Sequence, residues 1–243
     1  MANHQLLDNV THKDTKVNRS FHPQFGDNDS YAQVFVQELR LAQVDYPLFF
    51  RKNSQTDKFE MIAMFGFAAQ ENLFLDVSGW HASYVPMSIR RRPFLIGFQE
   101  QVVDGVAQDN VVVHIDMDSP RVSTTAGEPL FLPQGGQSEY LVEMSEVLGG
   151  VHNGHQDNAK FIDALVGLSL LESVEIKVEL NDGSKNELQG LYTINEEAFL
   201  ALDNLDFLSL NGQGYVEAIY MLLASMGNLS DLIKRKNATL SQS

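Results

Sequence analysis

The chain has 243 residues, 44% of them hydrophobic and 20% charged, with a net charge of −15 and no cysteine. That apolar share excludes a disordered chain, the negative balance excludes nucleic acid and anionic lipid as general partners, and the missing cysteine excludes a disulfide framework, a thiolate nucleophile and a cysteine metal site. No apolar run approaches the roughly 18–20 residues that cross a bilayer, and the polar opening MANHQLLDNVTHKD lacks a basic-then-apolar export signal, so a cytoplasmic location without membrane insertion is expected.

Residues 1–20 have no clean period and read as a short strand or extended arm near Leu6–Val10, then a turn at Thr11–Asp14. HPQFGDNDS at 22–30 is turn-rich and reads as a surface loop. YAQVFVQEL at 31–39 alternates Tyr31, Gln33, Phe35 and Gln37 against Ala32, Val34 and Val36, which predicts a strand. Asp45-Tyr46-Pro47 breaks it. Apolar runs from Leu48 and over Phe59–Phe67 flank the polar turn 52–58 and predict a hairpin. Asn72–Leu75 reads as a strand and Asp76–Gly79 as a turn. Val85 and Arg92 each precede a proline and are biased to extended backbone, so no long helix is expected through 71–94. FLIGFQEQ (94–101) and NVVVHIDMD (110–118) predict two further strands around a turn at Asp104-Gly105. Residues 119–137 hold three prolines and three glycines and read as a loop. It separates a strand-rich portion, 1–121, from an acidic portion, 122–243.

The second portion changes character. Leu141, Met144 and Leu148 have helical spacing, and Gly149-Gly150 is expected to stop that helix. Asp157 is placed to cap a second helix that turns Phe161, Ile162, Leu165 and Leu168 inward. SVEIKVEL at 173–180 alternates strictly, Asn181-Asp182-Gly183 is a turn signal, and LQGLYTI returns as the partner strand. Asn195-Glu196-Glu197 starts a short helix, Asn211-Gly212 is a turn, and a final helix runs from about Gly214 to Lys236. Its terminal Lys234-Arg235-Lys236 complements the helix dipole. The pattern as a whole is α+β: a largely antiparallel, strand-rich N-terminal portion with a helix–hairpin–helix C-terminal portion packed on it. The charge is uneven, with a net of −4 over 1–121 and −11 over 122–243. The plain reading is solubility, and the sharper one is an acidic face that docks a basic partner.

Glu71–Phe94, ENLFLDVSGWHASYVPMSIRRRPF, holds the only Trp and three consecutive arginines. On an extended backbone Arg90 and Arg92 share a face and can fork onto a carboxylate or phosphate, with Arg91 opposite. The competing reading is that they pair internally with some of the 32 acids. Trp80 and Tyr84 suit either internal packing or, beside arginines, an interface anchor. His114-Ile115-Asp116 puts a histidine and a carboxylate on one face of a strand. With His152 or His155 as third ligand, that is the donor set of a non-haem Fe(II) oxygenase. His4, His12 and His22 read as surface residues. No phosphate-binding glycine loop and no G-x-S-x-G is present.

The same 71–94 run resembles the SapC-like family of bacterial surface-layer loci, whose pattern is N-L-F, an acidic turn, Gly, Trp, then Y-V-P and R-R-Y-P-F. HQLLDNVTHKD, Asp45-Tyr46-Pro47, Gly127 with Leu130-Phe131, Gly190-Leu191-Tyr192 and Ser225-Met226-Gly227-Asn228-Leu229 are similar to its other blocks. The family usually has Tyr where this chain has Arg92. The resemblance implies a bacterial protein associated with surface-protein export, and with clusters holding tryptophan-halogenase-like flavoproteins, cupin-like proteins and TonB-dependent receptors. It names no reaction. The expectation is therefore a cofactor-free accessory protein that binds a protein or peptide partner, such as an exported surface protein or a flavin-dependent halogenase-like protein. Its proposed surface is Trp80, Tyr84, Arg90, Arg91 and Arg92, with room for a homo-oligomer. The alternatives are the iron oxygenase using His114 and Asp116, and a small-molecule carrier with its pocket under the Trp80 segment.

Overall fold

The computed structural model describes residues 3–103 and 106–241. The turn expected at Asp104-Gly105 lies outside them. The strands are β1 (His4–Leu6), β2 (Lys16–Val17), β3 (Tyr31–Gln33), β4 (Leu48–Lys52), β5 (Phe59–Met64), β6 (Leu75–Asp76), β7 (Gly79–Trp80), β8 (Phe94–Val103), β9 (Val106–Asp116), β10 (Val122–Ser123), β11 (Glu128–Pro129), β12 (Leu171–Glu179) and β13 (Lys185–Ile194). The helices are α1 (Leu39–Ala42), α2 (Met87–Arg90), α3 (Glu139–Gly167), α4 (Glu196–Leu200), α5 (Asn204–Gly212), α6 (Tyr215–Ser225) and α7 (Asn228–Leu240). Antiparallel strands dominate the first half and helices the second, so the fold is α+β.

The chain forms two compact units, each assembled from two stretches. The first takes residues 1–27 and 87–153, the second 28–86 and 154–243. In the first unit β9 pairs with both β1 and β8, and β2 pairs with both β10 and β11, all antiparallel. Its core gathers Val17, Phe94, Ile115, Leu130, Tyr140, Leu141, Met144 and Leu148. Phe94 and Ile115 face each other across β8 and β9, so one face of that pair packs against the start of α3 and the other is turned away from it.

The second unit is built on a five-stranded antiparallel sheet in the order β12-β13-β4-β5-β3. The β4–β5 and β12–β13 hairpins form where the alternation and turn residues place them. On β12 the inward residues Ile176 and Val178 are buried, while Glu175, Lys177 and Glu179 are exposed. Helix α4 starts at Asn195, whose side chain accepts from Ala198 N at 2.8 Å as an N-cap.

Four local expectations are corrected. The strand over 31–39 ends at Gln33 and gives way to a 3-10 turn at Val36–Glu38 and to α1. There Asn158 takes the place of a strand partner, donating to Val34 O at 2.8 Å and accepting from Val36 N at 2.9 Å. The helix expected to stop at Gly149-Gly150 runs unbroken to Gly167, so Asp157 lies inside α3 and caps nothing, and His152 and His155 are helical rather than in a glycine-rich loop. Burial of the apolar stripe outweighs the cost of about 1 kcal/mol that each helical glycine carries. Asn211-Gly212 closes α5, and the turn falls at Gln213-Gly214. The final helix is broken at Met226-Gly227 into α6 and α7. Together α6 and α7 span 26 residues with a mean hydropathy of 1.2 in their most apolar window, 33% of it buried, a longer apolar stretch than expected. The length and composition would suit a membrane crossing, but Tyr215, Val216, Ala218, Ile219 and Leu222 on α6 and Leu232 on α7 are core residues here.

Candidate functional site

The central segment divides between the two units at Pro86/Met87. Trp80 and Tyr84 belong to the second, and Arg90, Arg91 and Arg92 to the first.

In the second unit the aromatic half is a hydrogen-bonded lattice around Tyr46. Trp80 Nε1 donates to Tyr46 Oη at 2.8 Å, and Tyr46 Oη donates to the Tyr84 carbonyl. Tyr84 Oη donates to Glu38 Oε2 at 2.6 Å, and Glu38 Oε1 accepts from Phe35 N at 2.9 Å. Glu38 is 2% exposed, so these bonds satisfy a carboxylate withdrawn from water. The rings of Phe65 and Phe74 stand edge-on to Tyr46 at 5.1 and 4.8 Å, and Phe65 edge-on to Trp80 at 5.2 Å. The rings of Tyr46, Phe65 and Phe74 thus pack against one another and against Trp80.

Blocks far apart in sequence close this lattice. Asp45 Oδ2 accepts from Ser83 N at 2.8 Å. Asn228 Nδ2 donates to Gln43 O at 2.8 Å and Tyr46 O at 3.1 Å, and Ser225 Oγ accepts from Leu48 N at 3.1 Å. The Lys234-Arg235-Lys236 run sits before the end of α7, and two of its three charges have partners in the central segment. Arg235 stacks on Phe74 at 4.3 Å and donates to His81 O at 3.2 Å, while Lys236 pairs with Glu71. Burial works against ionisation of Glu71, but hydrogen bonds from Lys236, Phe67 N and Ala68 N outweigh it and hold its carboxyl below the usual value.

Asp76, Ser78 and His81 at the β6–β7 hairpin superficially resemble a nucleophile triad. Ser78 Oγ and Asp76 Oδ1 both approach the same ring nitrogen, His81 Nε2, at 3.0 and 2.8 Å, and Ser78 Oγ also donates to Asp76 at 2.6 Å. A relay needs serine and carboxylate on opposite ring nitrogens, so this is a turn network. It holds the Asp76 carboxyl well below the usual range, through Ser78 first and then His81.

In the first unit the arginines do not alternate along a strand. Arg91 N bonds Met87 O and Arg92 N bonds Ile89 O, which makes 87–92 a helical turn whose i and i+2 side chains diverge. The Arg92–Pro93 peptide that follows is cis. Arg90 meets Glu143 at 3.3 Å, with Arg19 on the other oxygen at 2.7 Å. Arg92 donates to Gly26 O at 3.0 Å and lies 3.9 Å from Asp27, which is itself buried against Arg121. Arg91 donates to Phe94 O at 2.9 Å, and among the described residues no carboxylate lies within ion-pair distance of it. Burial and then the charge of Arg92 push its pKa down. Arg91, Arg92, Pro93 and Phe94 line a cavity of about 310 Å³, and Phe25, Arg121, Asp116 and Asp118 are also in its lining. Sequence reasoning missed Phe25, Asp27 and Arg121, because no spacing links a loop residue to an arginine 94 positions away.

The proposed metal ligands do not converge. His114 lies against Gly97, where an added Cβ would come within 2.5 Å of its ring, and with Asp116 it occupies the β8–β9 face opposite to Phe94 and Ile115. His152 packs on Phe98, on the Phe94 side of β8, with ring centroids 6.0 Å apart. His155 is in the second unit, edge-on to Phe35 at 5.0 Å. Among the described residues no three His, Cys, Asp or Glu side chains gather into a metal-holding group.

The SapC family matches residues 7–232, nearly the whole chain, and the chain belongs to that family. Nothing matches it among curated proteins or among solved structures.

Proposed function

We propose that this SapC-family chain is a soluble, cytoplasmic accessory protein that recognises a protein or peptide partner, and that the partner places a carboxylate-bearing group in the cavity at Arg91 and Arg92. The supporting observation is how the family-like blocks are used. Asp45-Tyr46-Pro47, Trp80 with Tyr84, and Ser225–Leu229 are joined to one another as scaffold. Gly127, at a φ of +111°, lies where an added Cβ would meet the Val17 backbone at 2.6 Å, and Leu130 beside it is core. Two blocks border cavities, Arg91–Phe94 one of about 310 Å³ and Gly190-Leu191 one of about 450 Å³, and the first of them belongs to the central 71–94 run.

A cavity of about 310 Å³ is at the small end of ligand sites, sized for a side chain or chain terminus. Arg91 supplies a guanidinium withdrawn from water and short of an anion, which a carboxylate satisfies by a forked pair of hydrogen bonds. Asp116 and Asp118 in the same lining suit amide and ammonium donors, so the mixed lining fits a peptide better than a simple anion. In the family's setting the partner is an exported surface protein or a flavin-dependent halogenase-like protein.

The test is affinity capture from the native host with wild type, Arg91→Gln, Leu95→Trp at the cavity wall, and Arg92→Tyr, each checked for folding by near-UV circular dichroism. Wild type and Arg92→Tyr, which restores the ring usual in the family, should retain a common partner that Arg91→Gln and Leu95→Trp lose. Equal recovery by folded wild type and both cavity variants would sink the reading.

A further inference from the structure

Helix α5 is apolar on two opposite faces. Its Leu210 is buried and Phe207 is turned towards Phe199, with ring centroids 6.2 Å apart. Leu205 and Leu208, one turn apart on the other face, are 79% and 62% exposed, and Leu200 at the end of α4 is 71% exposed. A helix apolar on both faces is ordinarily covered on both, and a cluster of exposed leucines on adjacent short helices exceeds the scattered exposure that needs no explanation. The stretch of chain that carries these helices has one sign. Between residues 186 and 233 there are seven carboxylates and no Lys, Arg or His. Glu217 pairs with Arg40, but among the described residues Glu196, Glu197, Asp203 and Asp206 have no ion pair. Asp203 is occupied in capping α5 through Leu205 N and Asp206 N. Glu196, Glu197 and Asp206 lie in the first turns of α4 and α5, where the helix dipole favours them, and among the described residues no basic side chain neutralises them.

We infer that the Leu200–Leu205–Leu208 face is a docking surface for a basic amphipathic helix of a partner protein. The leucines take its apolar stripe and Glu196, Glu197 and Asp206 take its lysines or arginines, a helix-on-face arrangement read through anchors spaced three and four residues apart. Charge decides against a second copy of this chain on the same face, since two acidic rims would repel each other. The surface belongs to the second unit and the Arg91 cavity to the first, and the inference does not depend on what that cavity binds.

The probe is a fluorescent synthetic helix of about five turns with leucine on one stripe and lysine elsewhere, set against a scrambled peptide of identical composition. Anisotropy titrations use wild type, Leu205→Ser/Leu208→Ser, and Glu196→Gln/Glu197→Gln/Asp206→Asn. The amphipathic peptide should bind more tightly than the scramble and weaken as salt rises. The leucine variant should lose about tenfold or more in affinity while its thermal midpoint stays put, because both side chains are already exposed. The amide variant should bind more weakly with a flatter salt dependence. Equal affinity for the scramble, or unchanged binding by a folded leucine variant, would overturn the inference. So would a wild-type dimer in sedimentation that Leu205→Ser/Leu208→Ser dissolves, since a second copy would then own the face.

Discussion

Tyr46 and Tyr140 are held where a phenolate would lose its hydration. Burial pushes Tyr140 up to about 12 and Tyr46 further still. An acid whose neutral form is favoured in the fold contributes stability that is fully present below its ordinary value of about 10, and loses it as pH rises through the raised value. Alkaline titration should therefore show a late tyrosinate component that appears above pH 10 together with the loss of near-UV circular dichroism, and Tyr140→Phe should remove its share. Tyrosines that all ionise near pH 10 in a folded protein would contradict the burial argument. At this scale Trp80, Tyr84 and the three arginines were legible as unusual residues, but their roles were not. The partner that organises the aromatic half is Tyr46, reached by hydrogen bonds across 34 and 38 residues. The internal pairing weighed for the arginines is realised in Arg90 with Glu143 and Arg92 with Asp27. The His114 pair failed as a ligand set because a strand fixes which face its own residues share and says nothing about where a distant histidine falls.

Among the elements, α3 carries the most informative disagreement. Two adjacent glycines are a fair stop signal, yet Leu141, Met144 and Leu148 before them and Val151, Asn158, Phe161, Ile162 and Leu165 after them keep one helical phase. Continuity of that phase was in the sequence and outranked the local punctuation. The glycines also differ in kind. An added Cβ at Gly149 meets nothing within 4 Å, whereas at Gly154 it would meet Phe35 ring and Cβ atoms at 2.6 to 2.9 Å. Gly149→Ala should raise stability by about 0.5–1 kcal/mol by removing backbone freedom from the unfolded chain. Gly154→Ala should lower it by about 1–3 kcal/mol through overpacking against a ring that is itself fully buried. Urea titrations of the two variants check both signs at once, and a stabilising Gly154→Ala would show that Phe35 yields freely. The hairpins were read correctly for a simpler reason. Alternation and an Asn-Asp-Gly turn are local signals, while the early end of the strand at Gln33 depends on Asn158, a side chain 124 residues away.

For the whole molecule, the two units are interleaved in the chain, and no composition shift marks such an arrangement. The loop at 119–137 reads as a boundary from its prolines and glycines, but both units draw residues from either side of it. The first unit's core joins Val17, Phe94 and Ile115 to Leu130, Tyr140, Leu141, Met144 and Leu148. The second unit's sheet joins β3, β4 and β5 to β12 and β13, with Leu191 and Tyr192 on β13 paired to Arg51 and Phe50 on β4. A fragment of residues 122–243 would keep the β12–β13 hairpin but leave β13 as a bare edge, and would lose the buried Phe49, Phe50 and Phe65. A fragment of residues 1–121 would keep Trp80 and Tyr46 without Ser225 and Asn228, which bond the backbone around Tyr46. Each fragment should therefore lack a cooperative thermal transition, and Trp80 emission in the first should sit at the wavelength of an exposed indole. A sharp transition in either isolated fragment would mean that half of the chain holds a complete core, against the strand order and core membership seen here.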